Sequence, residues 1–398
     1  MIIPRVSTSL REHKEEVKVG KVGIVSLSFL SLFVCICLAL VSNETLANLF
    51  EHLKYPVLLV CAVIFFLSSK IYFVGVVSAA SYLFFLFFTL FFTVFNSPDL
   101  DSVLAFFGYM VLLVFWGCSQ TRFGFRWYVS FFSSTIFYLV WAHVILSAVF
   151  VLSPSAYSIG KGQFSAYMTN PNAYAGLTGL FLVLAMSRLT SLYRREFVVN
   201  AFLCLLLGVF LILSGSRATL LSAFVAFLVT HNKLSWKVTA LVVGAALAVL
   251  IYFSSYFDSV LGYTILNRDL LEDTGRGRRL DLYLGQILEN SFIFGTGLSE
   301  EGGRIKSDLA YMDVILFSGI GSIGFFLFLG LGFYHAIKAA VRGYLFLLPI
   351  LVYVILLSLF EGYLANVVTV PTIVFYIFHG VSLAVSKGGV KDHSMTKT

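Results

Sequence analysis

Charged residues are scarce in this chain of 398 residues. They make up 12% of the sequence, whereas hydrophobic residues make up 59%. Soluble domains carry about 25% charged residues, and no soluble core could bury so much apolar surface. The scarcity of charge therefore excludes an ordinary soluble protein. It predicts an all-α, polytopic membrane protein that forms a single integral membrane domain over residues 1–398.

Cysteine is also scarce, and a cleavable leader is not evident. All five cysteines lie inside apolar runs, which predicts packing or lipid-facing roles instead of disulfides or metal ligands: Cys35, Cys37, Cys61, Cys118 and Cys204. The first apolar run begins near Val22 and lacks a small-residue cleavage site. We therefore expect a retained first span.

About twelve apolar segments have roughly the 17–25 residues that a membrane-crossing helix needs. They lie near residues 22–42, 53–69, 71–95, 101–118, 127–152, 172–190, 197–213, 217–231, 237–256, 309–335, 344–360 and 364–384. We see no soluble domain boundary and no internal repeat. The sequence thus predicts about twelve transmembrane helices.

Basic residues predict which face of the membrane each connector occupies. One set of connectors shares a side with the basic N-terminus and carries Lys70, Arg122, Arg126, Arg188, Arg194, Arg195, Lys233, Lys237, Lys338, Arg342, Lys387, Lys391 and Lys397. The lysine and arginine bias makes that side cytoplasmic, with both termini. The opposite connectors read NETLANLFEH, NSPDLD, SPSAYSIGKGQFSAYMTNP, SGSR, a long loop over 257–308, and EGYLAN.

The long loop over residues 257–308, between the ninth and tenth spans, is expected to contain structure of its own. Within it Leu280, Leu284, Ile287 and Leu288 have the spacing of an amphipathic helix. The polar face of that helix would present Arg278 and Arg279 at the membrane surface.

Nine basic residues fall on the non-cytoplasmic face or its edge, where positive charge should be rare. Seven of them are Arg217, Arg268, Arg276, Arg278, Arg279, Arg304 and Lys306. Such a cluster predicts a site for an anion.

Arg217 follows the turn Ser214-Gly215-Ser216 and begins the eighth predicted span. A snorkelling anchor is the ordinary interpretation of an arginine at the end of a span. Here, however, a glycine-containing turn that frees backbone amides would stand beside a guanidinium, and that combination can hold an anion. We therefore favour a binding role.

A second basic cluster lies at residues 275–279 (GRGRR). It is either a solvated loop attracted to anionic lipid or a clamp on phosphate, for which the planar guanidinium is suited. The cluster as a whole favours the clamp, with Arg276, Arg278 and Arg279 as the candidate ligands.

Acidic residues stand at the start of the tenth span. Ser307 or Asp308 could simply cap the helix, whereas Asp313 lies about one turn into an apolar segment, where a carboxylate needs a partner or water. Asp308, Tyr311 and Asp313 are therefore candidate proton-accepting residues, or countercharges to the arginines. A metal site at Glu300, Glu301 and Asp308 has no supporting ligand spacing, so neither a metal nor a cofactor is expected.

Three further polar positions have weaker signals. Asn170-Pro171-Asn172 is a turn with a capping asparagine, which could also bond sugar hydroxyls. His143 is interpreted as a packing or helix-bonding residue, and Glu361 as a weaker candidate of the same kind as Asp313.

In order along the chain, these segments resemble the superfamily of O-antigen polymerases and O-antigen ligases. The resemblance covers roughly residues 165–335 and rests on 170–176 (NPNAYAG), 213–221 (LSGSRATLL), 279–283 (RLDLY), 294–298 (FGTGL), and the run from Asp308 to Gly321. Ligases carry a histidine where this chain has Asp308, and that departure favours the polymerase.

The resemblance implies a metal-independent glycosyltransferase of the bacterial inner membrane, active at the periplasmic face. Its donor would be an oligosaccharide on a polyprenyl pyrophosphate, held by Arg217 and Arg279 with Arg276 and Arg278 beside them. The glycan would lie near Asn170, Asn172 and Arg304. Membrane lipid and a chain-length regulator protein are the other expected partners, and nucleic acid is not one.

Two alternatives remain open. A ligase would join the same donor to lipid A–core, and a transporter would move a lipid-linked glycan across the bilayer. Transporters typically place charges deep within several spans and show repeat symmetry. The polar residues here gather at one face instead, which favours chemistry at the interface.

Overall fold

The computed structural model describes residues 16–69, 74–96, 99–157, 163–189, 194–230, 284–285, 293–298, 309–344 and 346–388. Within these ranges the chain is helical, without a β-strand. The thirteen α-helices are α1 (Glu16–Leu38), α2 (Glu44–Ser69), α3 (Val76–Phe95), α4 (Leu100–Ser119), α5 (Arg122–Ser130), α6 (Ile136–Phe150), α7 (Pro171–Leu189), α8 (Arg194–Leu213), α9 (Arg217–Thr230), α10 (Ala310–Ser318), α11 (Ser322–Val341), α12 (Leu347–Leu357) and α13 (Val370–Ser386).

The helices have the length and composition of a multi-pass membrane protein. Seven helical stretches among the described residues are long and apolar enough to cross a membrane. Four shorter apolar helices coincide with the seventh, eighth, eleventh and twelfth predicted spans. The ninth predicted span and most of the loop over residues 257–308 lie outside the described residues, although Leu284, on the predicted amphipathic stripe, is helical.

The sequence predicts a connector at NETLANLFEH, but residues 44–52 of this segment form the first turns of α2. Asn43 precedes the helix, and its side-chain oxygen accepts the backbone N–H of Leu46 at 3.1 Å. Glu44 adds a negative charge in the first turn, where it favours the helix dipole. Helix α2 therefore begins at Glu44 and not near residue 53.

The last span also begins later than the hydropathy predicts. Thr369 caps α13 by accepting the N–H of Thr372 at 3.3 Å, and Pro371 stands in the first turn, where its missing N–H costs nothing. The apolar residues between 364 and 369 belong to the connector before the helix.

The tenth span, predicted as one helix over 309–335, is two helices that fold back on each other. Gly319 has a φ of +52°, which ends α10, and a short 3-10 turn leads into α11. A straight helix would separate residues 311 and 326 by about 22 Å. The rings of Tyr311 and Phe326 instead lie 5.8 Å apart between centroids.

Basic residues lie together at one end of the helix bundle. We call this end the basic face. There Lys387 donates to the carbonyl of Val74 at 2.9 Å, and Arg342 donates to the carbonyl of Val385 at 2.8 Å. Gln120 accepts the backbone N–H of Val74 at 2.8 Å. This is the face that the lysine and arginine bias predicts to be cytoplasmic.

The opposite end, called the site face, joins the remaining connectors. Three hydrogen bonds tie it together, from Ser42 N–H to Tyr167 at 3.0 Å, from Phe164 N–H to Leu213 at 3.1 Å, and from the Tyr363 hydroxyl to Asn172 at 3.0 Å. The chain before α7, the end of α8 and the connector between α12 and α13 therefore form one surface.

Helix α13 lies at the centre of the bundle. All of its residues from Val370 to Ser386 are buried, whereas α2 and α3 expose many apolar side chains. A helix that is apolar on all sides is surrounded by other protein or by lipid. Burial by neighbouring helices identifies α13 as the core element around which the site face is built.

Candidate functional site

Asn170 caps α7, as the sequence predicts. Its side-chain oxygen accepts the backbone N–H of Asn172 at 2.8 Å and that of Ala173 at 3.4 Å. Pro171 occupies the first helical position. The side chain of Asn170 is exposed and that of Asn172 is half-buried. Both residues lie at the rim of the site face.

Tyr363 fixes the start of α7 from the connector between α12 and α13. Its hydroxyl donates to the carbonyl of Asn172 at 3.0 Å. Burial, and then the negative charge of Glu361, raise the pKa of Tyr363. The hydroxyl therefore stays protonated and able to donate at neutral pH.

The turn before α9 has the position that the sequence predicts, between two helices at the site face. Gly215 has a φ of +65°, a conformation that side chains disfavour and glycine adopts readily. Arg217 is the first residue of α9 and is half-buried. The hydroxyl groups of Ser216 and Thr219 lie 2.9 Å apart and bond to each other.

The backbone amides of this turn are less available than predicted. The N–H of Ser214 donates to Phe210 at 3.0 Å, and that of Gly215 donates to Ile212 at 3.0 Å. These two amides close the last turn of α8 and are therefore not available to an anion. The candidate anion ligand of the turn is Arg217 itself.

Two glycines of α7 allow α9 and α12 to pack closely against it. The hydroxyl of Tyr353 donates to the carbonyl of Gly176 at 2.8 Å. A Cβ added at Gly179 would lie 2.4 Å from the Tyr353 hydroxyl and 2.6 Å from a methyl carbon of Thr219. Small residues at such contacts let helices approach in a membrane protein. This contact fixes α9, and with it Arg217, against α7 and α12.

Helix α10 is linked to α12 by a hydrogen bond. The Tyr311 hydroxyl donates to the carbonyl of Ile355 at 2.7 Å, so Tyr311 is committed to a structural contact. Asp313 lies in the first turn of α10 and is only 3% exposed. The cap position is occupied by Leu309, with no side-chain cap, and not by Ser307 or Asp308 as predicted.

Helix α12 thus joins the two halves of the candidate site. Tyr353 of α12 contacts α7 and α9, and the carbonyl of Ile355 accepts a hydrogen bond from α10. Glu361 follows α12 in the connector and is 9% exposed. Helix α12 therefore connects the helix that begins with Arg217 to the helix that carries Asp313.

The FGTGL segment is fastened to the fold-back between α10 and α11. Its Thr296 N–H donates to Leu316 at 2.8 Å, and its Gly297 N–H donates to Phe317 at 3.1 Å. Asn96, after α3, donates to the carbonyl of Gly295 at 3.2 Å. A Cβ at Gly295 would lie 2.5 Å from the Phe317 carbonyl oxygen, which explains why glycine is needed there.

Several predicted site residues lie outside the described residues: Arg276, Arg278, Arg279, Arg304 and Asp308. The glycan role predicted for Arg304 and the pyrophosphate role predicted for the GRGRR cluster therefore stay predictions. So does the role of Asp308 as a proton acceptor.

Sequence reasoning missed Tyr353 and Tyr363, which hold the site together. Both donate to carbonyl groups near the start of α7, at 2.8 and 3.0 Å. A tyrosine in an apolar helix usually needs such a partner, so Tyr353 carried a weak signal. His143 matches its prediction, because its two ring nitrogens bond the hydroxyls of Tyr167 and Thr178 at 2.8 and 2.9 Å.

Comparisons with protein-family models and with curated protein sequences find no match for this chain.

Proposed function

We propose that this protein is a glycosyltransferase that polymerises oligosaccharide repeat units carried on polyprenyl pyrophosphate into O-antigen chains. It acts at the periplasmic face of the bacterial inner membrane, with both termini in the cytoplasm. The observation that supports the proposal is that α12 is bonded both to α7, against which the start of α9 packs, and to α10, which carries the buried Asp313.

In the proposed reaction a hydroxyl of the acceptor sugar attacks the anomeric carbon of the donor sugar. The new glycosidic C–O bond forms while the bond between the anomeric carbon and the pyrophosphate oxygen breaks. Polyprenyl pyrophosphate leaves with its negative charge. A guanidinium stabilises that charge through paired hydrogen bonds, and this is the role proposed for Arg217, with Arg276, Arg278 and Arg279 supporting it.

The acceptor proton requires a base. Asp313 is a carboxylate with 3% exposure in the first turn of α10, and a carboxylate can accept a proton from a sugar hydroxyl. Asp308 is the alternative base that the resemblance suggests. Tyr311 is assigned a positioning role, since its hydroxyl already donates to Ile355. Asn170, Asn172 and Arg304 are proposed to contact the glycan.

The test is polymer formation by the purified full-length protein in proteoliposomes, with the polyprenyl-pyrophosphate-linked repeat unit as donor and acceptor. A ladder of products that persists with a metal chelator is expected. Asp313→Asn should keep the fold and reduce the rate at least about tenfold, since general base catalysis contributes roughly 100-fold or more. Absence of any product from the wild-type protein would contradict the proposal, and full activity in Asp313→Asn would remove Asp313 from the mechanism.

A further inference from the structure

A row of polar residues lies between α11 and α13, inside an otherwise apolar part of the bundle. We call it the polar seam. Its polar residues are His335, His379, Ser382 and Ser386, and Gly332 lies against His379. All five are buried. The residues on α13 recur every three or four positions, so they lie on one face of that helix. The candidate glycosyltransferase site uses none of them.

His379 is the most unusual member of the polar seam. It is 0% exposed, and a Cβ added at Gly332 would lie 3.1 Å from three atoms of its ring. Phe328 lies 4.2 Å and Trp116 5.7 Å away between ring centroids. Among the residues that the structure describes, neither ring nitrogen of His379 has a hydrogen-bond partner, and the hydroxyl oxygen of Ser382, one turn further along, has none either.

A buried polar group lowers the stability of the fold when neither protein nor water forms a hydrogen bond with it. A neutral imidazole has one N–H to donate and one nitrogen that accepts. Leaving a buried donor or acceptor unsatisfied costs about 1–3 kcal/mol, so most are bonded to protein or to ordered water. Three unsatisfied atoms on His379 and Ser382 therefore indicate water, which typically bridges buried polar groups.

His143 shows that a buried histidine in this fold can have hydrogen-bond partners. It is 2% exposed, almost as buried as His379, yet both of its ring nitrogens bond side-chain hydroxyls. The difference lies in the local partners and not in the degree of burial. His143 is thus a matched reference for His379.

The polar seam continues to the basic face. His335 bonds the hydroxyl of Ser386 at 2.7 Å. Beyond Ser386 lies Lys387, and Arg342 donates to the carbonyl of Val385. Lys338, in the last turn of α11, also lies at that end and acts electrostatically on His335 together with Lys387. These charged residues leave the His335–Ser386 pair beside a hydrated surface.

Aromatic rings pack against the polar seam in the other direction. Tyr376, one turn before His379, packs against Tyr82 at 5.4 Å and Phe328 at 5.6 Å between ring centroids. The Tyr82 hydroxyl donates to the carbonyl of Tyr109. The charged residues that mark a hydrated surface lie at the basic face, so we place the opening of the seam there.

We propose that His379 is a proton-binding site reached by bound water along the polar seam from the basic face, through Ser382, Ser386 and His335. Ionisable residues within membrane segments commonly mark proton or substrate paths. The proposal goes beyond the glycosyltransferase function and does not depend on it.

The test is the exchange of the imidazole C2 hydrogen for deuterium, which requires protonation of the ring and access of water. The full-length wild-type protein in lipid nanodiscs is incubated in D₂O, and each histidine is followed by mass spectrometry. Among the three buried histidines, we expect His335 to exchange fastest and His379 to exchange at least about tenfold faster than His143, whose partners must open first. A rate for His379 equal to that for His143 would show a dry ring and overturn the proposal.

A variant locates the path. Ser382→Val should slow exchange at His379 at least about tenfold while leaving His143 unchanged, because it removes a polar group that holds water. Thr89→Val is the control, since the Thr89 hydroxyl is also buried but bonds its own helix at Phe85. If Ser382→Val left exchange at His379 unchanged, the seam would not be the path. Should that variant fail to fold, the wild-type comparison still decides the proposal.

Discussion

At the scale of single residues, the proposed chemistry depends on side chains held at helix starts. Arg217 begins α9 directly after a turn that requires glycine at position 215. Asp313 stands in the first turn of α10. Helix starts carry partial positive charge, which favours a bound anion near Arg217. The two residues therefore have distinct expected roles, one towards the leaving pyrophosphate and one towards the acceptor proton.

Arg217→Ala should reduce polymer formation at least about 100-fold, because one preorganised donor to a developing negative charge is typically worth that much. Arg217→Lys should restore only part of the activity, since an ammonium group lacks the planar fork. The measurement is product length and rate in proteoliposomes. Arg342→Ala, at the basic face, serves as the control for loss of one arginine. A wild-type rate of polymer formation in the Arg217→Ala variant would show that Arg217 is only a surface anchor.

At the scale of elements, the site depends on the close approach of α7, α9 and α12. Tyr353 reaches across to the Gly176 carbonyl, and Gly179 leaves room for Tyr353 and Thr219. The helices themselves were predictable from apolar runs, and so was the turn at Ser214–Arg217. The contact of Tyr353 was not, because it joins residues 177 positions apart.

Gly179→Ala should lower the stability of the protein by about 1–3 kcal/mol, because the added methyl group overpacks this contact. Gly208→Ala is the matched control within α8, where an added Cβ meets nothing within 4 Å. It should leave stability unchanged or raise it slightly, since alanine favours a helix. Thermal unfolding in detergent compares the two. Equal unfolding temperatures for both variants would contradict the packing account.

The tenth predicted span is long and apolar enough to cross a membrane, but it is interrupted at Gly319 and is not one continuous helix. Hydropathy is continuous through Gly319, so composition alone favours a single helix. The break arises from the positive φ of Gly319 and from the docked FGTGL segment, where a Cβ at Gly319 would lie 2.6 Å from the backbone of Gly295 and Ile293. Such a contact between distant segments has no signature in local sequence.

At the scale of the whole molecule, the connectors sort into two faces, and the candidate residues collect at one of them. The basic residues Arg342 and Lys387 lie at the other. The sequence predicted that Arg342 and Lys387 share one face, and the structure places both at one end of the bundle. The sequence could not predict that α13 is the buried centre, because lipid and protein both accommodate an apolar helix.

The orientation of the whole molecule gives a further prediction. Reporter fusions after Gly275 should report a periplasmic location, and fusions after Lys233 or Arg342 a cytoplasmic one, because the lysine and arginine bias sets orientation. A cytoplasmic result at Gly275 would place the GRGRR cluster on the wrong side for the proposed donor.

The most direct test of the central claim is the length of surface glycan in the source bacterium after deletion of the gene. Loss of a polymerase should leave lipopolysaccharide whose core bears a single repeat unit, because a separate ligase still transfers that unit. Expression of the wild-type chain should restore long glycan, and expression of the Arg217→Ala variant should not. Bare core with long glycan retained on the lipid carrier would identify a ligase instead. Glycan of unchanged length would contradict the glycosyltransferase proposal altogether.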